Sequence, residues 1–213
     1  MAVPRDLIIA AEGNMPSRAA MTLRTGPQTT VDAISHSLGI GIDHCVLIGM
    51  DGLRRLVDAA GGIAINVDAP IRDVITGLSV THCGSNHLDG DQALAYARSR
   101  HVESLENGQW QPRSTPAEDR SNHAVEVLTQ LGSRLRLRAK KPLKSARSLW
   151  VLAGAVTIDR GATPLVLLEL ARAVAHLDHA PVEVLPATLH PTEVPTAYLD
   201  PDAQSVLSVF SDA

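Results

Sequence analysis

Two arginines set one residue apart, Arg98 and Arg100, close the stretch DGDQALAYARSRH at residues 89–101. A guanidinium presents a planar set of donors that matches phosphate oxygens, so two of them on one face make a fork for a doubly anionic group. Spacing decides whether they share that face. Residues two apart point about 200° away from each other on a helix, whereas on an extended segment they lie on the same side. A fork therefore requires the helix to stop near Ala97 and the arginines to lie on an extended exit. The alternative is a solvated helix end, where arginines interact favourably with the helix dipole and need no ligand.

The remaining chemistry-bearing residues are scattered. Cys45 and Cys83 lack zinc-ligand spacing, and His82 and His87 near Cys83 do not make a tetrahedral set merely by being sequence neighbours. The cysteines read as two buried free thiols, with one disulfide as the rival. The basic run RLRLRAKKPLKSAR at 134–147 reads as a cationic helix end and solvated loop, or as a patch for a membrane surface or polyanion. A net charge of −4 gives no general reason to expect nucleic acid as partner. Only two Trp, two Tyr and one Phe are present to stack on bases or sugars. No apolar run reaches the length of a membrane span, and the first six residues lack the basic start and apolar stretch of a signal peptide. The chain as written is expected to be soluble and unexported.

The elements that must hold these residues follow from periodicity. Residues 29–38 read as a helix stopped by Gly39, 44–48 as a buried strand, and 52–60 as a helix capped by Asp51 with Leu53, Leu56 and Val57 on its buried face. Residues 63–67 read as a strand and 68–86 as a loop or short hairpin. Asp89 is expected to cap the next helix, with Gln92 completing a capping box and Leu94 and Ala97 on the buried stripe. Residues 102–117 read as an exposed excursion. A long amphipathic helix follows, with Ala124, Val127, Leu128, Leu131 and Leu135 at helical spacing. Helices over 142–156 and 163–177, a strand over 182–185 and a last helix opened by Asp200-Pro201 complete a single domain, 1–213, of layered α/β class.

The wording of the sequence adds to this. The string from His87 to His101, together with Ile42-Asp43-His44-Cys45-Val46, Asp51-Gly52-Leu53, Leu56-Val57-Asp58-Ala59-Ala60-Gly61-Gly62 and Pro4-Arg5-Asp6, resembles the LytR-CpsA-Psr family. The insertion with Gly108 and Trp110 is similar to that of actinobacterial members. The resemblance covers nearly the whole chain, from about Val3 to the last helix.

That resemblance implies a three-layer α/β/α sandwich around a central mixed β-sheet. It also implies an extracytoplasmic location at the membrane or cell wall, and transfer of a glycopolymer from a polyprenyl-pyrophosphate carrier to a peptidoglycan acceptor. Arginines hold the pyrophosphate in the family, and magnesium bridges it. Carried over residue by residue, Arg5, Arg98 and Arg100 are the catalytic arginines, and Arg120 and His123 join them in holding pyrophosphate. His123 stands where the family's Gly-Arg-Ile-X-Arg-Gln-Gln element has its second arginine, and Ala124 and Val125 stand where it has its glutamines. Arg18 follows Pro-Arg-Asp where the family has a lysine-containing segment. The family's magnesium-binding aspartates lie upstream of Pro-Arg-Asp in the first strands, so this chain is expected to start after them. Its sheet edge is then open to pairing with another chain. Two readings of function stand side by side: a phosphotransferase, and a non-catalytic relative that binds polyprenyl phosphate or cell-wall polymer or modulates true family members.

Overall fold

The computed structural model describes residues 1–113, 116–139, 154–159, 182–190 and 196–211, with single residues between 161 and 173. The helices expected over 142–156 and 163–177, and the basic run past Ala139, lie largely outside these. The chain forms two compact units, residues 1–47 with 182–213, and residues 48–181, each with its own apolar core.

The first unit opens with β1 (Ile8–Ile9), paired antiparallel with β2 (Ser17–Arg18), and a short α1 (Ala19–Thr22). Helix α2 (Pro27–Leu38) starts two residues before the expected 29 because Pro27 occupies its first turn, where a missing N–H costs nothing. Gly39, at φ 66°, ends it as expected by donating to the Ser35 carbonyl. Strand β3 (Val46–Ile48) is shorter than the expected 44–48 and is not buried: Val46 and Ile48 are 39% and 40% exposed.

In the second unit α3 (Met50–Ala59) is preceded by Gly49 as N-cap. Asp51 is therefore a first-turn carboxylate facing the positive end of the dipole rather than the cap. Leu56 and Val57 are buried as expected. Leu56 is 1% exposed, and its replacement by Ala should cost about 2–5 kcal/mol in a denaturant melt; a negligible change would mean that face is not core. Strand β4 (Ile63–Val67) falls where periodicity put it and pairs antiparallel with β7 (Gly84–Leu88), Ile63 opposite Leu88. Between them, β5 (Ile71–Asp73) and β6 (Leu78–Val80) form the hairpin that was one of two alternatives for 68–86.

Helix α4 (Gly90–Arg98) is capped as expected, the Asp89 carboxylate accepting from Gln92 N at 2.9 Å. The capping box is only half made: the Gln92 side chain instead accepts from Ser79 N and donates to the Gly77 carbonyl. The buried stripe also differs, since Ala93, Ala95 and Tyr96 are buried while Leu94 is intermediate. A Cβ at Gly90 would run into the backbone of Arg54 on α3, so only glycine lets the two helices pack here. Gly90→Ala should destabilise by about 1–3 kcal/mol, read as a lowered unfolding midpoint.

The expected excursion at 102–117 is replaced by a hairpin, β8 (Glu103–Glu106) and β9 (Gln109–Pro112), turned at Asn107-Gly108 with φ 50° and 78°. Asn-Gly is a strong two-residue hairpin signal because both positions tolerate positive φ. These strands complete a four-stranded sheet in the order β6-β5-β8-β9. Helix α5 (Pro116–Ala139) buries Val127 and Leu131, whereas Leu128 is 38% exposed and leaves the expected stripe. Strand β10 (Val156–Ile158) follows.

The chain then returns to the first unit. The strand expected at 182–185 is reduced to a parallel bridge between Val184 and Ala2, and β11 (Ala187–His190) pairs antiparallel with β12 (Thr196–Leu199). The last helix, α6 (Ala203–Ser211), begins beyond Asp200, whose carboxylate accepts from the Thr188 hydroxyl instead of capping. Both cysteines are thiols, Cys45 half-buried and Cys83 exposed, so the expected burial fails for Cys83.

Candidate functional site

The end of α4 answers the question that the arginine pair raises. Arg98 is the last helical residue, and Ser99 turns to extended backbone at φ −61°, ψ 134°. The change of conformation is fastened at three points. Ser99 is fully buried and its hydroxyl donates to the Ala95 carbonyl at 2.8 Å. The same hydroxyl meets Thr76 Oγ1 at 2.9 Å. Beyond it, the backbone N–H groups of Arg100 and His101 both donate to Asp73 Oδ2, at 3.0 and 3.1 Å. The helix thus stops one residue later than the fork requires: Arg98 is still helical, Ser99 is extended, and Arg100 and His101 lie in a bend. Arg98 is exposed and Arg100 half-exposed.

Asp73, within the stretch 68–86 that reads only as a loop or short hairpin, is the residue that the sequence does not single out. It has no exposed surface, and its other oxygen, Oδ1, accepts from Ile75 N and Thr76 N. Burial by itself pushes the carboxyl's pKa up, and the four backbone donations, from His101, Arg100, Thr76 and Ile75, bring it below the ordinary aspartate value. Because the folded value is the lower one, the stabilisation is complete above the unfolded value and is lost as pH falls through the folded one. Asp73→Asn should therefore flatten the acid limb of a stability-against-pH curve below neutral pH; an unchanged limb would contradict the clamp. The sequence signal was the spacing of Asp73, Thr76 and Gly77, an Asp opening a tight turn.

A cavity of about 340 Å³ in the same unit is lined by Tyr96, His123, Arg113, Asp68 and Asn66, among others. The Tyr96 and His123 rings lie 4.1 Å apart, and the Tyr96 hydroxyl donates to Glu126 Oε2 at 2.7 Å. Arg113 faces Asp68 at 3.4 Å and its N–H bonds the Val102 carbonyl, two residues past Arg100. Arg113 was not singled out from sequence; only its place at the end of a hairpin that begins beside the arginine exit brings it here. Arg120 lies on α5, with its side chain outside the described residues.

Arg5 belongs to the first unit. Its Nε is 3.6 Å from Asp6 Oδ1, and Arg18 approaches the same oxygen at 3.5 Å. One carboxylate therefore draws the two guanidinium groups together, and the carbonyl of Arg5 accepts from Ala20 N to fix the segment. Arg5 is the more exposed of the two, so its pair contributes little to stability, whereas Arg18 and Asp6 are partly buried. Among the described residues no group of three or more His, Cys, Asp or Glu side chains is placed to hold a metal ion. Among the described residues, then, the side chains present do not make a magnesium site.

Fold and site together define an α/β domain of mixed helices and antiparallel sheets that ends a helix on a buttressed arginine pair. The chain belongs to the LytR-CpsA-Psr family, whose LytR_cpsA_psr model matches residues 1–112. A solved structure described as a LytR-Csp2A-Psr enzyme from Actinomyces oris is 31% identical with a TM-score of 0.86, covering 98% of this chain and 78% of that one. The probable cell wall biosynthesis protein LcpB of Corynebacterium glutamicum is 33% identical over 101 residues, 47% of this chain and 24% of that protein. A protein of Halalkalibacterium halodurans, named polyisoprenyl-teichoic acid–peptidoglycan teichoic acid transferase TagU, is 41% identical over 80 residues, 37% of this chain and 25% of that protein. The chain thus matches about a quarter of the length of these two relatives. No helix among the described residues is long and apolar enough to cross a membrane.

Proposed function

We propose that this chain is a cell-wall glycopolymer phosphotransferase domain that takes a polyprenyl-pyrophosphate-linked glycan as donor and a peptidoglycan hydroxyl as acceptor. The observation that carries the reading is the Asp73-held exit of α4, where Arg98 ends the helix, Ser99 turns to extended backbone and the Arg100 N–H is fastened to Asp73. Attack of the acceptor oxygen on the glycan-side phosphorus breaks the phosphoanhydride and leaves the lipid as its monophosphate. Negative charge grows on that leaving group. Guanidinium groups fixed beforehand stabilise it without reorganising, provided their backbone is rigid. Arg120 and His123, on α5 of the same unit, would add to that charge. The name of the TagU relative is consistent with this class of donor and acceptor, and that of LcpB with cell wall biosynthesis.

A binding-only reading is favoured by one observation. Ala124 and Val125 replace glutamines of the family element, and neither side chain can donate a hydrogen bond to a ligand. Incubation with a prenyl-pyrophosphate-linked disaccharide, soluble peptidoglycan fragments and Mg²⁺ separates the two. Release of prenyl monophosphate matched by phosphodisaccharide on the acceptor is expected. Stoichiometric binding of the donor with no release would assign the chain to the binding-only class.

A further inference from the structure

The turn between β5 and β6 holds two aliphatic side chains in water: Val74 is 79% and Ile75 76% exposed. The turn itself is tightly tied. Asp73 Oδ1 accepts from Ile75 N at 2.9 Å and Thr76 N at 3.3 Å, and the Asp73 carbonyl accepts from Gly77 N at 2.9 Å. Asp73 Oδ2 simultaneously takes the N–H groups of Arg100 and His101, and Thr76 reaches Ser99 hydroxyl to hydroxyl. One buried carboxylate therefore fastens an aliphatic tip and a cationic exit side by side. Arg98, at the end of α4, is exposed.

The chemistry of this juxtaposition selects its occupant. Two side chains on a turn offer far less surface than the roughly 1,200 Å² that a stable protein partner needs. Aliphatic side chains on a turn whose Asp73 also holds the backbone of an arginine-bearing segment instead match a surface with acyl chains beneath and phosphates above. β-branched side chains on a fastened turn also have little rotamer freedom left to lose on insertion. We propose that the Val74-Ile75 tip and the Arg98/Arg100 exit dock this domain on an anionic lipid bilayer, the aliphatic pair entering the headgroup boundary while the arginines meet lipid phosphates. The proposal deepens the transferase reading and rests on it, because a pyrophosphate on a polyprenyl carrier lies at that boundary.

The test is cosedimentation of the chain with vesicles of phosphatidylglycerol and phosphatidylcholine, or of phosphatidylcholine alone, beside a vesicle-free titration with geranyl pyrophosphate. Val74→Ser/Ile75→Ser changes only exposed side chains, and thermal unfolding verifies that it folds. It should lose about tenfold in affinity for the anionic vesicles, as lost insertion area implies, yet bind geranyl pyrophosphate like the wild type. Arg98→Ala/Arg100→Ala should weaken both, and the vesicle affinity should fall with added salt. Unchanged vesicle binding in the serine variant, no vesicle binding by the wild type, or equal binding to neutral vesicles would each overturn the docking proposal. Anionic vesicle binding lost in the serine variant, without any geranyl pyrophosphate binding by the wild type, would sustain docking and remove the pyrophosphate reading instead.

Discussion

Arg98→Ala/Arg100→Ala is expected to bind a short-chain prenyl pyrophosphate at least about a hundredfold more weakly than the wild type, since each charge-assisted contact to phosphate contributes about 1.5–3 kcal/mol. The fold should be nearly untouched. Arg98 is exposed, and the anchoring at Arg100 runs through its backbone N–H, which alanine keeps. Calorimetric titration with an unfolding midpoint on the same samples separates lost binding from lost fold. Affinity unchanged in the double variant would remove the pair from the site. Replacing Arg98 alone by Lys is informative too, because a point charge cannot reproduce a two-pronged contact.

The second large effect concerns stability. Asp73→Ala removes the acceptor for four backbone N–H groups in a position with no solvent access. Each donor left unsatisfied costs about 1–3 kcal/mol, softened by whatever water the vacated space admits. A loss of about 3 kcal/mol or more follows, a large part of a typical domain's total of about 5–15 kcal/mol. The Arg98-Ser99-Arg100 exit should also loosen, so pyrophosphate affinity falls even at temperatures where the variant is folded. Hydrogen exchange at the Arg100 and His101 amides checks this; protection as strong as in the wild type would mean that the exit is held by something other than Asp73.

The parts of the molecule legible in the sequence are those decided locally. Asp89 as cap, the strand 63–67 and the end of α2 at Gly39 each depend on residues within a few positions, and the structure has them where periodicity and capping put them. The hairpin at β8 and β9 was also written locally, in Asn107-Gly108, but among prolines and polar residues that by composition read as an exposed excursion. Val46 and Ile48 failed for a different reason: a short apolar run looks the same whether or not another layer covers it. Asp73 lies furthest out of reach. Its importance comes from two backbone N–H groups 27 and 28 positions away, a pairing that no local pattern encodes. Its own residue type in a turn is unremarkable. The arginine pair was visible as a motif, while the way the helix ends between its two members, with a buried carboxylate holding the residues that follow, emerges only from the fold.

The most direct measurement is a calorimetric comparison of three ligands with the same short prenyl chain, ending in pyrophosphate, monophosphate or hydroxyl. If the exit of α4 is a pyrophosphate fork, affinity should fall in that order, with the alcohol weakest and the preference diminished by salt. Equal affinity for all three would mean that the chain recognises only the apolar tail, and the assignment of Arg98 and Arg100 to the donor's phosphates would be wrong.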